Sequence, residues 1–261
     1  MYNFEIVKPT SIDDAVAALG EEEAQPLSGG QTLIPTLKQR LAMPSKLVSL
    51  AGIAEMKGVK SAEGIMIIGG GTTHGTIAKE SASSFPGLSG LASKIGDPAV
   101  RNRGTMGGSV ANNDPSACYP SAILACGGTI VTNSRDIAAD DFFQGMFTTA
   151  LEEGEIITSI KIPVPEKSNY QKFEQPASRF ALVGVFVAKY AGGVRVAVTG
   201  ASSDGVFRWA EAEAALSADF SKAAVEALSP PEGAMISDLH GTDAYRAHLV
   251  KVMTGRAVAA A

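Results

Sequence analysis

The chain has 261 residues, 45% of them hydrophobic and 19% charged, which suffices for one large domain or two modest ones with a sizeable core. Its 22 basic and 27 acidic residues give a net charge of −5 at pH 7 without a basic stripe, which argues against a nucleic-acid partner. No apolar run approaches the roughly 18 residues of a membrane-spanning helix, and the N-terminal segment lacks a cleavable apolar leader. We therefore expect a soluble cytoplasmic protein without a membrane span.

The first part of the chain alternates short helical and strand-like segments, which is typical of α+β or α/β proteins. Thr10 or Ser11 is placed to cap a helix that carries acidic residues in its first turn and ends near Gly20. The further segments are a helix within 32–42, strands at 47–50 and 65–68, a helix at 120–125 and a strand within 157–165.

Beyond Lys167 the pattern changes to a small sheet covered by helices. The sequence predicts a hairpin of two strands, at 180–190 and 193–203, and then helices at 209–216, 220–228 and 243–258. A linker composition rich in proline and polar residues lies around Pro165 to Tyr170. We place the domain boundary there, giving domains 1–167 and 168–261.

Several common kinds of site are not supported by residue spacing. The chain contains neither a GxxxxGK[ST] phosphate loop nor a GxGxxG motif after a strand. His74, His240 and His248 are scattered and are interpreted as solvated or core residues rather than metal ligands. Cys118 and Cys126 have no neighbouring base and are too few for an iron–sulfur cluster. Redox chemistry in this chain would therefore need a borrowed cofactor.

Glycine is the compositional outlier, with 28 of 261 residues, and its clusters lie in the first half of the chain. Two clusters have polar neighbours: Ser28-Gly29-Gly30-Gln31-Thr32, and Gly104-Thr105-Met106-Gly107-Gly108 followed by Asn112, Asn113 and Asp114. Successive amides in such turns can point at one anion, and glycine allows its close approach. Either cluster alone is explained by a tight turn. Together they indicate two loops that bind a diphosphate.

These motifs resemble those of the FAD-binding medium subunits of molybdenum hydroxylases, as in aerobic carbon monoxide dehydrogenase, and of the flavin domain of xanthine dehydrogenase. The family's first flavin motif has the form AGG[QH][ST], similar to residues 28–32, and its second has the form TIGG, similar to residues 105–108. The segments IIGGGTTHGTI, TALEEGEIITSIKIP, YQKF, FALVGV and DAYRAHLVKVMTGRA follow in the family's order. The resemblance therefore spans essentially the whole chain.

The resemblance implies an α+β fold: a two-part FAD-binding domain of the vanillyl-alcohol-oxidase (PCMH) type over 1–167, and a C-terminal domain with a three-stranded sheet and helices. FAD would lie between the two parts, with its isoalloxazine ring facing the C-terminal domain. The implied diphosphate contacts are Ser28, Gly29, Gly30, Gln31, Thr32, Thr105, Met106, Gly107 and Gly108, and the implied flavin-side neighbours are Gly71, Thr72 and Thr73. Asp114 and Lys172 are further candidates, and no catalytic or metal-binding residue is implied.

Lys172 is a candidate for contact with the flavin ring. A cation near the pyrimidine end of the flavin ring would stabilise a reduced, anionic flavin. An ion pair on the protein surface explains Lys172 equally well.

Three positions depart from the family's pattern. Cys118 stands where many members have an aspartate, Arg179 where an acidic residue is common, and Ala99 where a glutamine is common. These changes affect the expected adenosine contacts and the local charge, so they could lower FAD affinity. The diphosphate loops depend mainly on backbone amides and are not affected.

The implied function is electron transfer within an oxidoreductase. FAD would receive electrons from a [2Fe–2S] small subunit, itself supplied by a molybdopterin-containing large subunit, and pass them to an external acceptor. The implied assembly is a dimer of heterotrimers. Two alternatives stay open: a free-standing FAD oxidoreductase that uses NAD(P)H, although no nicotinamide signature is present, and a flavin-free scaffold subunit, suggested by Cys118 and Arg179.

Overall fold

A computed structural model describes residues 1–230 and 235–261, and its first 56 residues form a small parallel sheet with two helices. The elements are β1 (Glu5–Val7), α1 (Ile12–Leu19), β2 (Ala24–Leu27), α2 (Leu33–Lys38) and β3 (Lys46–Ser49). The strands lie in the order β1-β3-β2. The predicted first helix is confirmed, because the Ser11 hydroxyl accepts the Asp14 amide and the helix ends at Gly20.

The second part of the chain is built on a five-stranded antiparallel sheet in the order β4-β5-β10-β6-β7. Its strands are β4 (Val59–Ala62), β5 (Ile65–Gly69), β6 (Thr129–Thr132), β7 (Asp136–Ala138) and β10 (Ile157–Pro163), and a hairpin adds β8 (Phe143–Gly145) and β9 (Thr148–Thr149). Its helices are α3 (His74–Glu80), α4 (Pro86–Ser93), α5 (Pro98–Arg101), α6 (Met106–Asn112), α7 (Tyr119–Ala125) and α8 (Ala139–Phe142). Every residue of α7 is buried, so this helix lies at the centre of the main core.

The C-terminal part is an antiparallel sheet of four strands covered by helices. Its strands are β11 (Lys167–Glu174), β12 (Ala181–Tyr190), β13 (Gly193–Ser202) and β14 (Gly205–Arg208), and its helices are α9 (Ala210–Ala218), α10 (Ala223–Glu226) and α11 (Asp243–Ala259). The expected three-stranded sheet is corrected to four strands, because the chain turns back after Ser202 and pairs again from Gly205. Gly205 has a φ of +91°, which permits this tight reversal.

The predicted linker is largely a strand. β11 begins at Lys167 and pairs with β12 along its length, so only residues 164–166 connect β10 to β11. The boundary after Lys167 stays a prediction.

The C-terminal sheet packs directly on the second part of the chain. β11 lies against α4, while β12 and β13 lie against α7. The Gly200 amide donates to the Pro115 carbonyl at 2.7 Å, and Arg195 donates to the Leu124 carbonyl at 2.8 Å. This packing carries β11 and the start of β12 towards the loop that precedes α7. Among the described helices, none has the length and apolar character needed to cross a membrane.

Candidate functional site

A cavity of about 770 Å³ lies where the first two parts of the chain meet the start of the C-terminal sheet. Its wall includes the β2–α2 loop, α6 with the residues on either side of it, and the segment before β12. This volume is within the range of about 300–1,000 Å³ that is usual for small-molecule and cofactor sites. Ser28 to Thr32, Thr105, Gly107, Gly108, Asp114 and Lys172 all contribute to the wall.

The first glycine loop presents backbone donors that the protein itself does not use. The amides of residues 29–32 donate to no acceptor in the described parts of the chain, 1–230 and 235–261. Gly30 has a φ of +71°, a conformation that favours glycine over any residue with a side chain. Amides that the protein leaves unpaired on a cavity wall are available to a ligand, and phosphate oxygens are suitable acceptors. The loop therefore fits the diphosphate of FAD.

The two glycine motifs touch each other through their backbones. A Cβ atom on Gly29 would lie 2.3 Å from the Arg103 carbonyl oxygen and 2.7 Å from Cα of Gly104. The hydroxyls of Ser28 and Thr105 form a hydrogen bond of 2.7 Å between the same two loops. Glycine at position 29 is thus required for contact between the loops, whatever ligand they bind.

The second motif uses its amides within the protein. The Met106 and Gly107 amides donate to the carbonyls of Thr72 and Gly70 at 3.1 and 2.9 Å, and the Gly108 amide donates to Thr105 Oγ1 at 3.2 Å. Met106 is fully buried in the core and does not line the cavity. This loop therefore offers the ligand a hydroxyl and a close-packed backbone, not the free amides expected from its sequence.

The expected flavin-side neighbours Gly71, Thr72 and Thr73 do not line the cavity. The Thr72 hydroxyl accepts the Gly58 amide at 2.9 Å and bonds to the Gly58 carbonyl at 3.1 Å. The Thr73 hydroxyl caps α3 by accepting the Thr76 amide at 3.3 Å. Both hydroxyls are occupied by backbone groups, while the flanking residues Gly70 and His74 reach the wall instead.

His74 is a cavity residue that the sequence interpretation missed. It is 5% exposed, and its Nδ1 lies 3.1 Å from the Tyr119 hydroxyl oxygen. Burial, aided by the charge of Arg101, lowers the pKa of the imidazole to about 4. In the sequence, the only signal was its place in a glycine-rich and threonine-rich loop; its partner follows 45 positions later.

Asp114 and Lys172 both lie on the cavity wall. The Asp114 carboxylate accepts the Ser116 amide at 2.8 Å, which fixes the turn before α7. The Lys172 ammonium is half-buried and donates to the Lys94 carbonyl at 2.9 Å. This neutral acceptor leaves the positive charge of Lys172 uncompensated by that contact, which favours a role in the cavity over a surface ion pair.

The three residues that depart from the family's sequence pattern lie in different places. Cys118 is buried on the wall, whereas Ala99 is exposed in α5 and lies outside the wall. Arg179 is exposed on the wall and has a φ of +61°, with its amide donating to the Gln175 carbonyl at 2.8 Å. The substituted charge therefore faces the cavity, while the substituted glutamine position does not.

Glu155, also on the wall, holds the neighbouring loop together. Its carboxylate accepts bonds from Arg135 at 3.0 Å, from Thr132 at 2.6 Å and from the Glu152 amide at 2.8 Å. The Arg135 bond and the other donors lower the pKa of Glu155 to about 2. Glu155 thus stays ionised at neutral pH as a fixed negative charge in a structural network.

Acidification is expected to destabilise the chain through His74. The unfolded chain has a histidine pKa near 6.5 and the folded chain a pKa of about 4, so between these values the unfolded state binds more protons. The stability supplied by neutral His74 is complete above about pH 6.5 and is lost progressively as the pH falls towards 4. We expect a loss of about 3 kcal/mol from this group over that window, measured by urea unfolding at several pH values.

The matched variants for this experiment are His74→Gln and His240→Gln, since His240 is exposed. His74→Gln should flatten the pH dependence of the unfolding free energy between pH 6.5 and 4, whereas His240→Gln should leave it as in the wild type. An equal slope in His74→Gln and the wild type would contradict the assignment.

Comparison with known proteins gives matches over almost the entire chain. A family model described as "FAD binding domain in molybdopterin dehydrogenase" matches residues 2–165. The carbon monoxide dehydrogenase medium chain of Afipia carboxidovorans is 34% identical, with 98% of this chain and 96% of the relative covered. The glyceraldehyde dehydrogenase medium chain of Sulfolobus acidocaldarius is 32% identical, with 97% and 96% covered.

Solved structures give the same result for the fold. Reconstituted CO dehydrogenase from Oligotropha carboxidovorans contains a chain that is 32% identical, with a TM-score of 0.88 and coverage of 99% of this chain and 97% of that one. Quinoline 2-oxidoreductase from Pseudomonas putida 86 contains one that is 28% identical, with a TM-score of 0.87 and coverage of 100% and 97%. The similarity extends through the C-terminal part, beyond the residues that the family model matches.

Proposed function

The chain belongs to the family of FAD-binding domains in molybdopterin dehydrogenases, and from this premise we propose that it is the electron-transfer subunit of a multi-subunit molybdenum hydroxylase. The resemblance drawn from the glycine motifs is confirmed, as are the α+β fold and the assignment to an oxidoreductase subunit with FAD as cofactor.

The unpaired amides of residues 29–32 carry the proposal for the binding site. They would bind the diphosphate, with the hydroxyls of Ser28 and Thr105 beside them. Gly107 allows α6 to pack closely against Gly70, and Gly108 lies beside the Thr105 hydroxyl. Asp114 and Lys172 contribute polar groups elsewhere on the wall. Gly71, Thr72, Thr73 and Met106 lie behind this wall and support it. When bound, FAD supplies the capacity to accept electrons and to release them to another acceptor.

The proposed partners are a molybdopterin-containing large subunit and a [2Fe–2S] small subunit, assembled as a dimer of heterotrimers in the cytoplasm. Relatives are named medium chains or a medium subunit, names that imply further chains in those enzymes. The two cysteines of this chain are fewer than the four thiolates that hold a typical [2Fe–2S] cluster. The iron–sulfur cluster is therefore proposed to lie in another chain.

Lys172 gives a test of where the flavin ring lies. Lys172→Gln is expected to lower the midpoint potential of bound FAD by about 30 mV, since a lost positive charge makes the reduced flavin less stable by about 1.4 kcal/mol. Spectroelectrochemical titration measures this shift. Lys167→Gln, an exposed change in the same strand, should leave the potential unchanged. Equal midpoint potentials in the wild type and both variants would show that Lys172 does not lie near the flavin ring.

The electron-transfer proposal is tested by mixing the FAD-loaded chain anaerobically with the reduced iron–sulfur subunit of the proposed complex. We expect the flavin absorbance to bleach while the electron paramagnetic resonance signal of the reduced cluster disappears. A flavin that stays oxidised in this mixture but is bleached by NADPH alone would favour the free-standing oxidoreductase. A chain that binds no FAD would favour the scaffold.

A further inference from the structure

His74 and Tyr119 form a buried polar pair beside the cavity. His74 is the first residue of α3 and Tyr119 the first of α7, and their ring centroids are 5.3 Å apart with a tilt of 50°. Tyr119 is fully buried and His74 is 5% exposed. Their hydrogen bond, between Nδ1 and the phenolic oxygen, is 3.1 Å long. The pair thus connects two helices of the main core at the cavity wall.

The Tyr119 hydroxyl fixes the tautomer of His74. Burial raises the pKa of this phenol well above its ordinary value, so its proton stays in place. In the described parts of the chain, His74 is the only hydrogen-bond partner of the hydroxyl, and a buried O–H without an acceptor is unfavourable. The hydroxyl therefore donates to Nδ1. A neutral imidazole that accepts at Nδ1 carries its proton on Nε2.

The Nε2–H group lies at the cavity wall. A Cβ atom on Gly104, itself a wall residue, would be 2.6 Å from Nε2, so the ring edge lies directly over this glycine. Nε2 has no hydrogen-bond partner among the described residues. The protein does not enclose this atom completely, so a ligand can reach it. It is thus a donor without an acceptor at a surface that faces the cavity.

The surroundings keep this donor uncharged at neutral pH. Arg101 is the charged group that acts on the ring, and with burial it lowers the pKa of His74. Tyr119 itself remains protonated, and Cys118 is the titratable group that acts on Tyr119. A neutral N–H group suits an uncharged acceptor, such as a carbonyl oxygen or a ring nitrogen, better than it suits a phosphate.

We propose that His74 donates a hydrogen bond from Nε2 to an uncharged oxygen or nitrogen of bound FAD, and that Tyr119 is the positioning residue that holds His74 in the required tautomer. The inference rests on the proposed FAD site and adds a binding residue to it. Gly104 takes part by leaving room for the ring, since any side chain there would collide with Nε2.

Four variants separate the donor from its support. His74→Asn keeps a polar group near Nδ1 and removes the Nε2 donor, so the Kd for FAD should rise about tenfold. His74→Gln places an amide nitrogen near Nε2 and should keep the Kd within about threefold of wild type. Tyr119→Phe should give an intermediate rise. Tyr190→Phe is the control, because its hydroxyl bonds the Pro163 carbonyl at 2.9 Å outside the wall.

Nitrogen-15 NMR of the full chain tests the tautomer and the contact independently of affinity. The His74 signals, identified by their loss in His74→Gln, should show a protonated Nε2 and an unprotonated Nδ1. The Nε2 proton should shift when FAD saturates the chain, and Tyr119→Phe should move part of the proton to Nδ1. A protonated Nδ1 in the wild type, or an Nε2 signal unmoved by saturating FAD, would overturn the inference. A wild-type chain that does not bind FAD would instead overturn the proposed site.

Discussion

Replacing Gly29 with alanine is expected to raise the Kd for FAD about a hundredfold, equivalent to about 2.7 kcal/mol of binding free energy. The added Cβ would lie 2.3 Å from the Arg103 carbonyl oxygen, which no real Cβ tolerates, so the two glycine loops must separate. Separation would stretch the 2.7 Å bond between Ser28 and Thr105 and displace the free amides of residues 29–32. Titration of flavin fluorescence measures the affinity.

Gly90→Ala is the matched control for Gly29→Ala. Gly90 lies within α4, and a Cβ there meets no atom within 4 Å. Alanine is favoured over glycine in a helix by up to about 1 kcal/mol, so this variant should be slightly more stable and should bind FAD as the wild type does. If Gly29→Ala bound FAD as tightly as Gly90→Ala, FAD binding would not depend on close contact between the two glycine loops.

Replacing Arg246 with methionine is expected to lower the free energy of unfolding by about 3 kcal/mol, because two backbone carbonyls lose their hydrogen-bond donor. This residue of α11 is 3% exposed and donates to the carbonyls of Leu182 and Gly200 at 2.9 and 2.7 Å. Its other amino group donates to both oxygens of Asp238 at 2.8 Å. The β12–β13 ladder ends at the Gly184 and Thr199 pair, so both carbonyls lie where strand pairing no longer satisfies them.

The Arg246 prediction is checked by urea unfolding against Arg256→Met. Arg256 lies in the same helix and is exposed, so its replacement should change the free energy of unfolding by no more than about 0.5 kcal/mol. Because Gly200 also donates to the Pro115 carbonyl beside the cavity, Arg246→Met should loosen FAD binding as well. Equal urea midpoints of unfolding for the two variants would show that Arg246 does not stabilise the C-terminal sheet.

Local pattern was enough to predict the longest elements of the C-terminal part. The helix predicted at 243–258 is found at Asp243–Ala259, and the hairpin strands predicted at 180–190 and 193–203 are found at Ala181–Tyr190 and Gly193–Ser202. These elements are long, and β12 is an almost continuous apolar run, so each is indicated by many residues together. β14 escaped prediction because its four residues carry too little periodicity to indicate a strand.

The sequence predicted the parts of the candidate site that depend on backbone conformation. It did not predict the parts that depend on the direction in which a side chain points. The glycine motifs indicated the two loops correctly, because few residues other than glycine fit their close contact. The sequence could not show that the Thr72 hydroxyl turns to Gly58 or that Met106 enters the core. Nor could it show that His74 meets a tyrosine from another helix, since that meeting depends on the packing of α3 and α7.

The visible absorption spectrum of the purified full chain, recorded before and after addition of FAD, is the most direct measure of whether this chain binds the flavin. Release of the bound compound and its identification by mass complete the measurement. We expect flavin absorption bands and equimolar FAD in the wild type, with both reduced in Gly29→Ala. A wild-type chain that takes up no FAD at saturating concentration, even with its partner subunits present, would show that the cavity is not an FAD site.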